Sequence, residues 1–167
     1  MQQEKDDFLQ LVFHNKGIIV KICNSYCSNA TDREDLAQEI IYALWKGSKT
    51  FSPDYKFSTW MYRVALNVAI SFYRANKKLK EHISFSEAIT EIEDNTAEHT
   101  IAEEQLHLLQ QQMAGLKELD KALMILYFEE KSYKEIAEII GITETNVATK
   151  VSRIKERLKQ DITNTKK

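Results

Sequence analysis

Phe57-Ser-Thr-Trp60-Met-Tyr-Arg63-Val-Ala-Leu-Asn67-Val-Ala-Ile-Ser71-Phe-Tyr-Arg74-Ala-Asn-Lys77-Lys78 contains neither glycine nor proline, and its reading decides the fold. Placed on a helix, Trp60, Val64, Val68 and Phe72 form one apolar line, whereas Arg63, Asn67, Ser71, Arg74 and Lys78 form another that is wholly polar or cationic. The helix therefore has two faces with different jobs. Trp60 and Phe72 are expected in the core, because large apolar side chains at helical spacing are usually buried. Phe51, Tyr55, Phe57, Tyr62 and Tyr73 add rings around a block, residues 46–80, in which eight Lys and Arg face a single acid, a net charge of +7. Cations that track phosphates beside rings that stack on bases are the combination that holds single-stranded nucleic acid. Burial in a core explains many of the same rings equally well.

The rest of the chain agrees with long helices. Four glycines and one proline in 167 residues are too few for the turns of a sandwich, a barrel or a doubly wound sheet, so an all-α fold is expected. No stretch approaches the ~20 uncharged apolar residues that span a bilayer. Met1 is followed by Gln, Gln, Glu and Lys rather than by a basic and then an apolar run, so a cytoplasmic protein without membrane insertion is expected. Cys23 and Cys27 read as reduced thiols on one helical face. With a histidine they could form half a metal site, but buried small side chains are the favoured account. The histidines, His14, His82, His99 and His107, are scattered, and no phosphate-cradling loop or nucleophile elbow is present. No catalytic residue, metal or cofactor is expected.

The net charge of −2 hides a segregation. Residues 1–45 carry −3, 81–104 carry −8, 105–130 carry −2 and 131–167 carry +4, and no Lys or Arg occurs from Glu81 to Leu116. The first half of that run is too polar and irregular to bury a helical face. Two small helical domains, 1–80 and 105–167, are therefore expected to flank an acidic linker, 81–104.

Three further helices carry local signals. Thr31-Asp-Arg-Glu34 reads as a capping box, followed by an apolar stripe of Leu36, Ile40 and Leu44 with Ala37 and Ile41 beside it. Asp35, Gln38, Glu39 and Tyr42 fall on the opposite face, which is either an ordinary solvated surface or a seat for a basic or polar partner. Ser132-Tyr-Lys-Glu135 is a second capping box, opening a short helix from Tyr133 to Ile140 that stops at Gly141. Thr143 then caps a helix whose buried line is Val147, Val151, Ile154 and Leu158. Two helices joined this tightly read as a helix-turn-helix, with Asn146, Ala148, Thr149, Lys150, Ser152 and Arg153 presented to a major groove and Lys155, Arg157 and Lys159 to phosphates.

Taken in order, these segments resemble the extracytoplasmic-function sigma factors, small two-domain specificity subunits of bacterial RNA polymerase in the sigma-70 family. Asp32-Arg-Glu-Asp-Leu-Ala-Gln-Glu39 with Trp45 is similar to the core-polymerase-binding segment. Phe57-Ser-Thr-Trp60 through Arg74 is similar to the segment that melts the promoter and reads the minus-ten element, and Ser132 through Leu158 to the minus-thirty-five domain. The resemblance implies that Asp35, Gln38 and Glu39 dock on a coiled coil of the largest polymerase subunit. It implies that Arg63, Asn67, Arg74, Lys77 and Lys78 meet minus-ten DNA, with Asn67 in a pocket for a base flipped from the non-template strand. Such a pocket must offset a few kcal/mol of unstacking. It further implies promoter DNA, core polymerase and an anti-sigma factor as partners, and a linker threaded through the polymerase cleft. The family often has Asp where this chain has Ser71, and a longer, often basic residue where it has Ala148.

Two other classes compete. A stand-alone helix-turn-helix regulator predicts a dimer that binds duplex tightly by itself. An enzyme lacks any supporting motif.

Overall fold

In the computed structural model of the chain, residues 2–83, 108–109 and 111–165 are described. Among them all regular structure is helical: α1 (Gln2–His14), α2 (Lys16–Tyr26), α3 (Ala30–Gly47), a 3-10 turn (Ser48–Thr50), α4 (Phe57–Ile83), α5 (Glu118–Phe128), α6 (Tyr133–Ile140) and α7 (Glu144–Thr165). The all-α expectation holds. α4 runs three residues past 80, and the remainder of the segment read as linker, 84–104, lies outside the described residues.

The first core forms where α2, α3 and α4 meet, and Ile22, Leu36, Ile40, Leu44, Met61 and Leu66 are buried there. The α3 stripe holds for Leu36, Ile40 and Leu44, but Ile41 stands in solvent. On α4 the buried line differs from the expected one. Met61, Tyr62, Ala65, Leu66 and Ala69 are buried, whereas Trp60, Val64, Val68 and Phe72 are only half-buried along its flank. Ala65 and Ala69 explain the shift, since small side chains let neighbouring helices approach on that side, and the larger residues then fill the edges. Trp60 and Phe72 are thus core-flanking rather than core.

The cap of α3 also differs from expectation. Asn29, not Thr31, is the N-cap: its side-chain oxygen accepts from the Asp32 amide at 2.8 Å, and its amide nitrogen donates to the Asp32 carboxylate at 2.7 Å. A single side chain that satisfies one orphan donor and pairs with a first-turn acid outcompetes a hydroxyl two residues later.

The second core gathers Leu123, Leu126, Ile136, Val147 and Val151 from α5, α6 and α7. Ser132 and Glu135 form the expected reciprocal box at 2.9 and 3.2 Å. Gly141 adopts φ 82°, and the amides of Gly141 and Ile142 both reach the Ala137 carbonyl. Thr143 accepts from the Asn146 amide at 3.2 Å, opening α7. The two cores are in contact: α6 lies on α4, and α5 touches α2 and α4. No helix of the described residues is long and apolar enough to cross a membrane.

Candidate functional site

Three solvent faces carry the residues singled out from the sequence. On α3, Asp35, Gln38 and Glu39 are exposed together with Tyr42, opposite the buried stripe. Ile41, Trp45 and, from α1, Phe8, Leu9 and Val12 border an apolar groove of about 360 Å³ next to Gln38. This face thus mixes acidic and apolar character.

On α4, Arg63, Asn67, Arg74 and Lys77 are exposed along one side of the helix, with two turns between Asn67 and Arg74; the side chain of Lys78 lies outside the described residues. A cavity of about 390 Å³ opens between the α3–α4 connection and the first turns of α4, with Phe51, Tyr55, Trp60, Arg63 and Asn67 among its walls. Its size and mixture of rings, a guanidinium and a carboxamide suit a planar polar group. Most of the nearby aromatics are packed rather than displayed. Phe51, Phe57 and Trp60 lie 5.3–5.5 Å apart ring to ring, and Phe8 meets Phe57 and Trp60 at 6.0 and 6.2 Å. Tyr62 is buried and Tyr73 half-buried, which leaves Tyr55 as the exposed ring of the five named. The expectation of several stacking rings is therefore reduced to the cavity wall and Tyr55.

On α7, Asn146, Thr149, Ser152 and Arg153 are exposed, while Ala148 and Lys150 are half-buried. The Thr149 hydroxyl donates to the Thr145 carbonyl at 2.9 Å, so toward a groove it acts as an acceptor. Lys155 donates to the Tyr127 hydroxyl at 3.0 Å, which raises its pKa and ties α7 to α5. Arg157 and Lys159 are exposed. Cys23 and Cys27 are both buried and not disulfide-bonded, and burial first, then the neighbouring sulfur, pushes Cys23 up to about 11. The Cys23 thiol is therefore protonated at neutral pH. No group of three or more His, Cys, Asp or Glu among the described residues is placed to hold a metal ion.

Of the side chains at the seam between the cores, the sequence pattern singled out Arg74, Tyr62 and Tyr73 but none of the partners they meet there. Arg74 Nε pairs with Glu118 Oε1 at 2.6 Å, and this bond holds the Glu118 carboxyl below the ordinary carboxylate range. Lys21 Nζ meets both oxygens of Glu129 at 2.6 and 2.7 Å, and the Tyr62 hydroxyl donates to Glu129 at 3.3 Å. Burial, then the Glu129 charge, drives Tyr62 to about 12. Lys121 is only 3% exposed, with its ammonium 5.2 Å from the rings of Tyr26 and Tyr73, and burial lowers its pKa. These pairs join positions 44 to 108 residues apart, a separation that no local periodicity records. A lysine inside the apolar run that ends at Phe128 was the one available hint.

A polar-cationic α4 face, a partly acidic α3 face and a helix-turn-helix are thus carried by one helical fold. Sigma-70 region 2 matches residues 11–79, and sigma-70 region 4 matches residues 106–158. The RNA polymerase sigma factor YlaC of Bacillus subtilis is 31% identical over 133 residues, 78% of this chain and 77% of that protein. The ECF RNA polymerase sigma factor SigW of Bacillus subtilis is 28% identical over 169 residues, 95% and 90% of the two chains. The sigma factor RpoE, solved in complex with the anti-sigma factor NepR from Bartonella quintana, superimposes with a TM-score of 0.69 at 20% identity, covering 94% of this chain and 97% of that one. The chain belongs to the sigma-70 family of RNA polymerase sigma factors, of the extracytoplasmic-function type. Members of this family are transcription initiation factors, not enzymes.

Proposed function

We propose that this sigma factor opens promoters by capturing the melted non-template strand on α4 while α3 holds core polymerase in the cytoplasm. The observation that carries the reading is the cavity beside Asn67: a carboxamide, the Arg63 guanidinium and an indole converge on a space that a flipped base fits. Asp35, Gln38 and Glu39 stand on a separate helix, so polymerase and DNA would not compete for one surface. Residues 1–80 would then be the polymerase-binding, minus-ten-reading domain and 105–167 the minus-thirty-five-reading domain, with the acidic segment 81–104 connecting them. In the latter, Asn146, Thr149, Ser152 and Arg153 would meet base edges and phosphates, with Ala148 offering apolar contact to a thymine methyl and Lys150 only part of its stem. One solved neighbour, RpoE, was co-crystallised with the anti-sigma factor NepR, and an anti-sigma partner is proposed here on that basis.

In vitro transcription from genomic template, with core polymerase plus or minus this chain and with start sites mapped, tests the reading. New starts should appear only with the chain. Asn67→Ala should reduce open-complex formation more than closed-complex binding; equal loss in both would remove its pocket role.

A further inference from the structure

Lys121 is a charged side chain in an apolar setting. It heads the run Ala122, Leu123, Met124, Ile125 and Leu126, every member of which is buried, and it is buried itself. Taking an ammonium out of water is costly unless something offsets the loss, and burial accordingly lowers this one's pKa. The faces of Tyr26 and Tyr73, each 5.2 Å from the nitrogen, offset part of that cost. Among the described residues no carboxylate is paired with it: Glu118, whose charge reaches it, is bonded to Arg74 instead.

The same lysine borders a cavity of about 450 Å³ formed by the end of α2, the first turn of α3, the later turns of α4 and the start of α5. Tyr26, Phe72 and Tyr73 give it ring walls, and Asn24, Ser28 and Asn76 add neutral polar groups. Its charged wall residues are Lys77, Lys121 and Asp32, two ammoniums against one carboxylate. Asp32 accepts from the Asn29 side-chain amide at 2.7 Å, so that carboxylate is turned to its own helix cap. Ring walls, a few polar groups and a buried cation without an acid partner are the chemistry of a small-ligand site. One surplus positive charge favours a monoanion over a dianion, and the rings favour a flat body. We propose that this cavity binds a small planar carboxylate of the aromatic-acid class, its carboxylate on the Lys121 ammonium and its body among the rings of Tyr26, Phe72 and Tyr73. An exposed lysine holds such an anion weakly, because water competes for both partners; a buried one has already given up its hydration, and the carboxylate restores what burial removed. Of the residues assigned above to polymerase or DNA, the site borders only Lys77.

Isothermal titration calorimetry of the full chain with 2-naphthoate, its neutral analogue 2-naphthamide and inorganic phosphate tests the proposal. 2-Naphthoate should bind at one site, about tenfold or more tightly than either of the others. Lys121→Met keeps the bulk of the stem and removes the charge. It should lose about tenfold in 2-naphthoate affinity, keep 2-naphthamide within about twofold, and melt no lower than the native chain, since a buried charge without an acid partner is gone. Asp32→Asn takes the one carboxylate out of the wall and should act the other way, tightening 2-naphthoate about threefold, so the sign of the effect follows charge and not damage to the fold. No binding of 2-naphthoate at millimolar concentration, equal affinity for 2-naphthamide, or unchanged affinity in Lys121→Met would overturn the site. Phosphate bound more tightly than 2-naphthoate would overturn the flat monoanion as its ligand. None of these readouts involves DNA or polymerase, so failure here leaves the function proposed above untouched.

Discussion

Gly141→Ala isolates the backbone term in the turn that aims the recognition helix. Gly141 sits at φ 82°, and a Cβ built there meets nothing within 4 Å, so the substitution carries no steric contact cost. What remains is the left-handed conformation itself, about 1–2 kcal/mol for a residue with a Cβ. The alanine also narrows the unfolded ensemble, which returns about 0.4–1 kcal/mol to the folded state. The net loss is about 1 kcal/mol, or a melting temperature about 2–4 °C lower for a chain of this size. Far-UV circular dichroism melts of the native chain, Gly141→Ala and Gly141→Asn measure it. Asn tolerates the left-handed region, so its variant should fall between the other two. An alanine variant as stable as the native chain, or an asparagine variant less stable than alanine, would refute the claim that backbone conformation selects glycine here.

Other outcomes follow from the same geometry. Glu135 has its carboxyl pKa lowered chiefly by the Ser132 amide, so its contribution is present above the ordinary carboxylate value and lost as pH falls through its own depressed value. The stability gap between native and Glu135→Gln chains should therefore be open at neutral pH and close on acidification, as followed by denaturant titration. Leu36→Ala, at a fully buried site, should cost about 2–5 kcal/mol, whereas Asp35→Ala, Gln38→Ala and Glu39→Ala together should barely move the melt yet abolish co-purification with core polymerase. Arg153→Ala should cost about 1–3 kcal/mol in binding the upstream promoter element; a uniform loss across sequences would make it a phosphate contact.

Local chemistry is legible where it is settled within a few residues. Ser132, Glu135, Gly141 and Thr143 interact over spans of three to five positions, and each takes its expected role. The same logic misplaced the α3 cap, because Asn29 and Thr31 are both competent and only the structure shows which one reaches Asp32. Periodicity found the two faces of α4 but centred the buried one on its largest residues, when the small Ala65 and Ala69 determine where neighbours come closest. Family and fold were legible from three segments in order. The contacts of Glu118, Glu129 and Lys121 were not, because each depends on how two separately specified bundles come together, which hydrophobic patterning within either does not encode.

The close seat of Trp60 has a mechanical side. A Cβ on Gly47 would lie 3.3 Å from the indole, so the last turn of α3 and the first of α4 ride on one another with no slack. The same Trp60 side chain also walls the space beside Asn67. Close-packed interiors pass displacement along instead of absorbing it. A tug on α3 from whatever grips its far side is therefore felt as a change of shape beside Asn67, and a bulkier residue at 47 would jam that transmission while leaving both outer surfaces chemically unaltered.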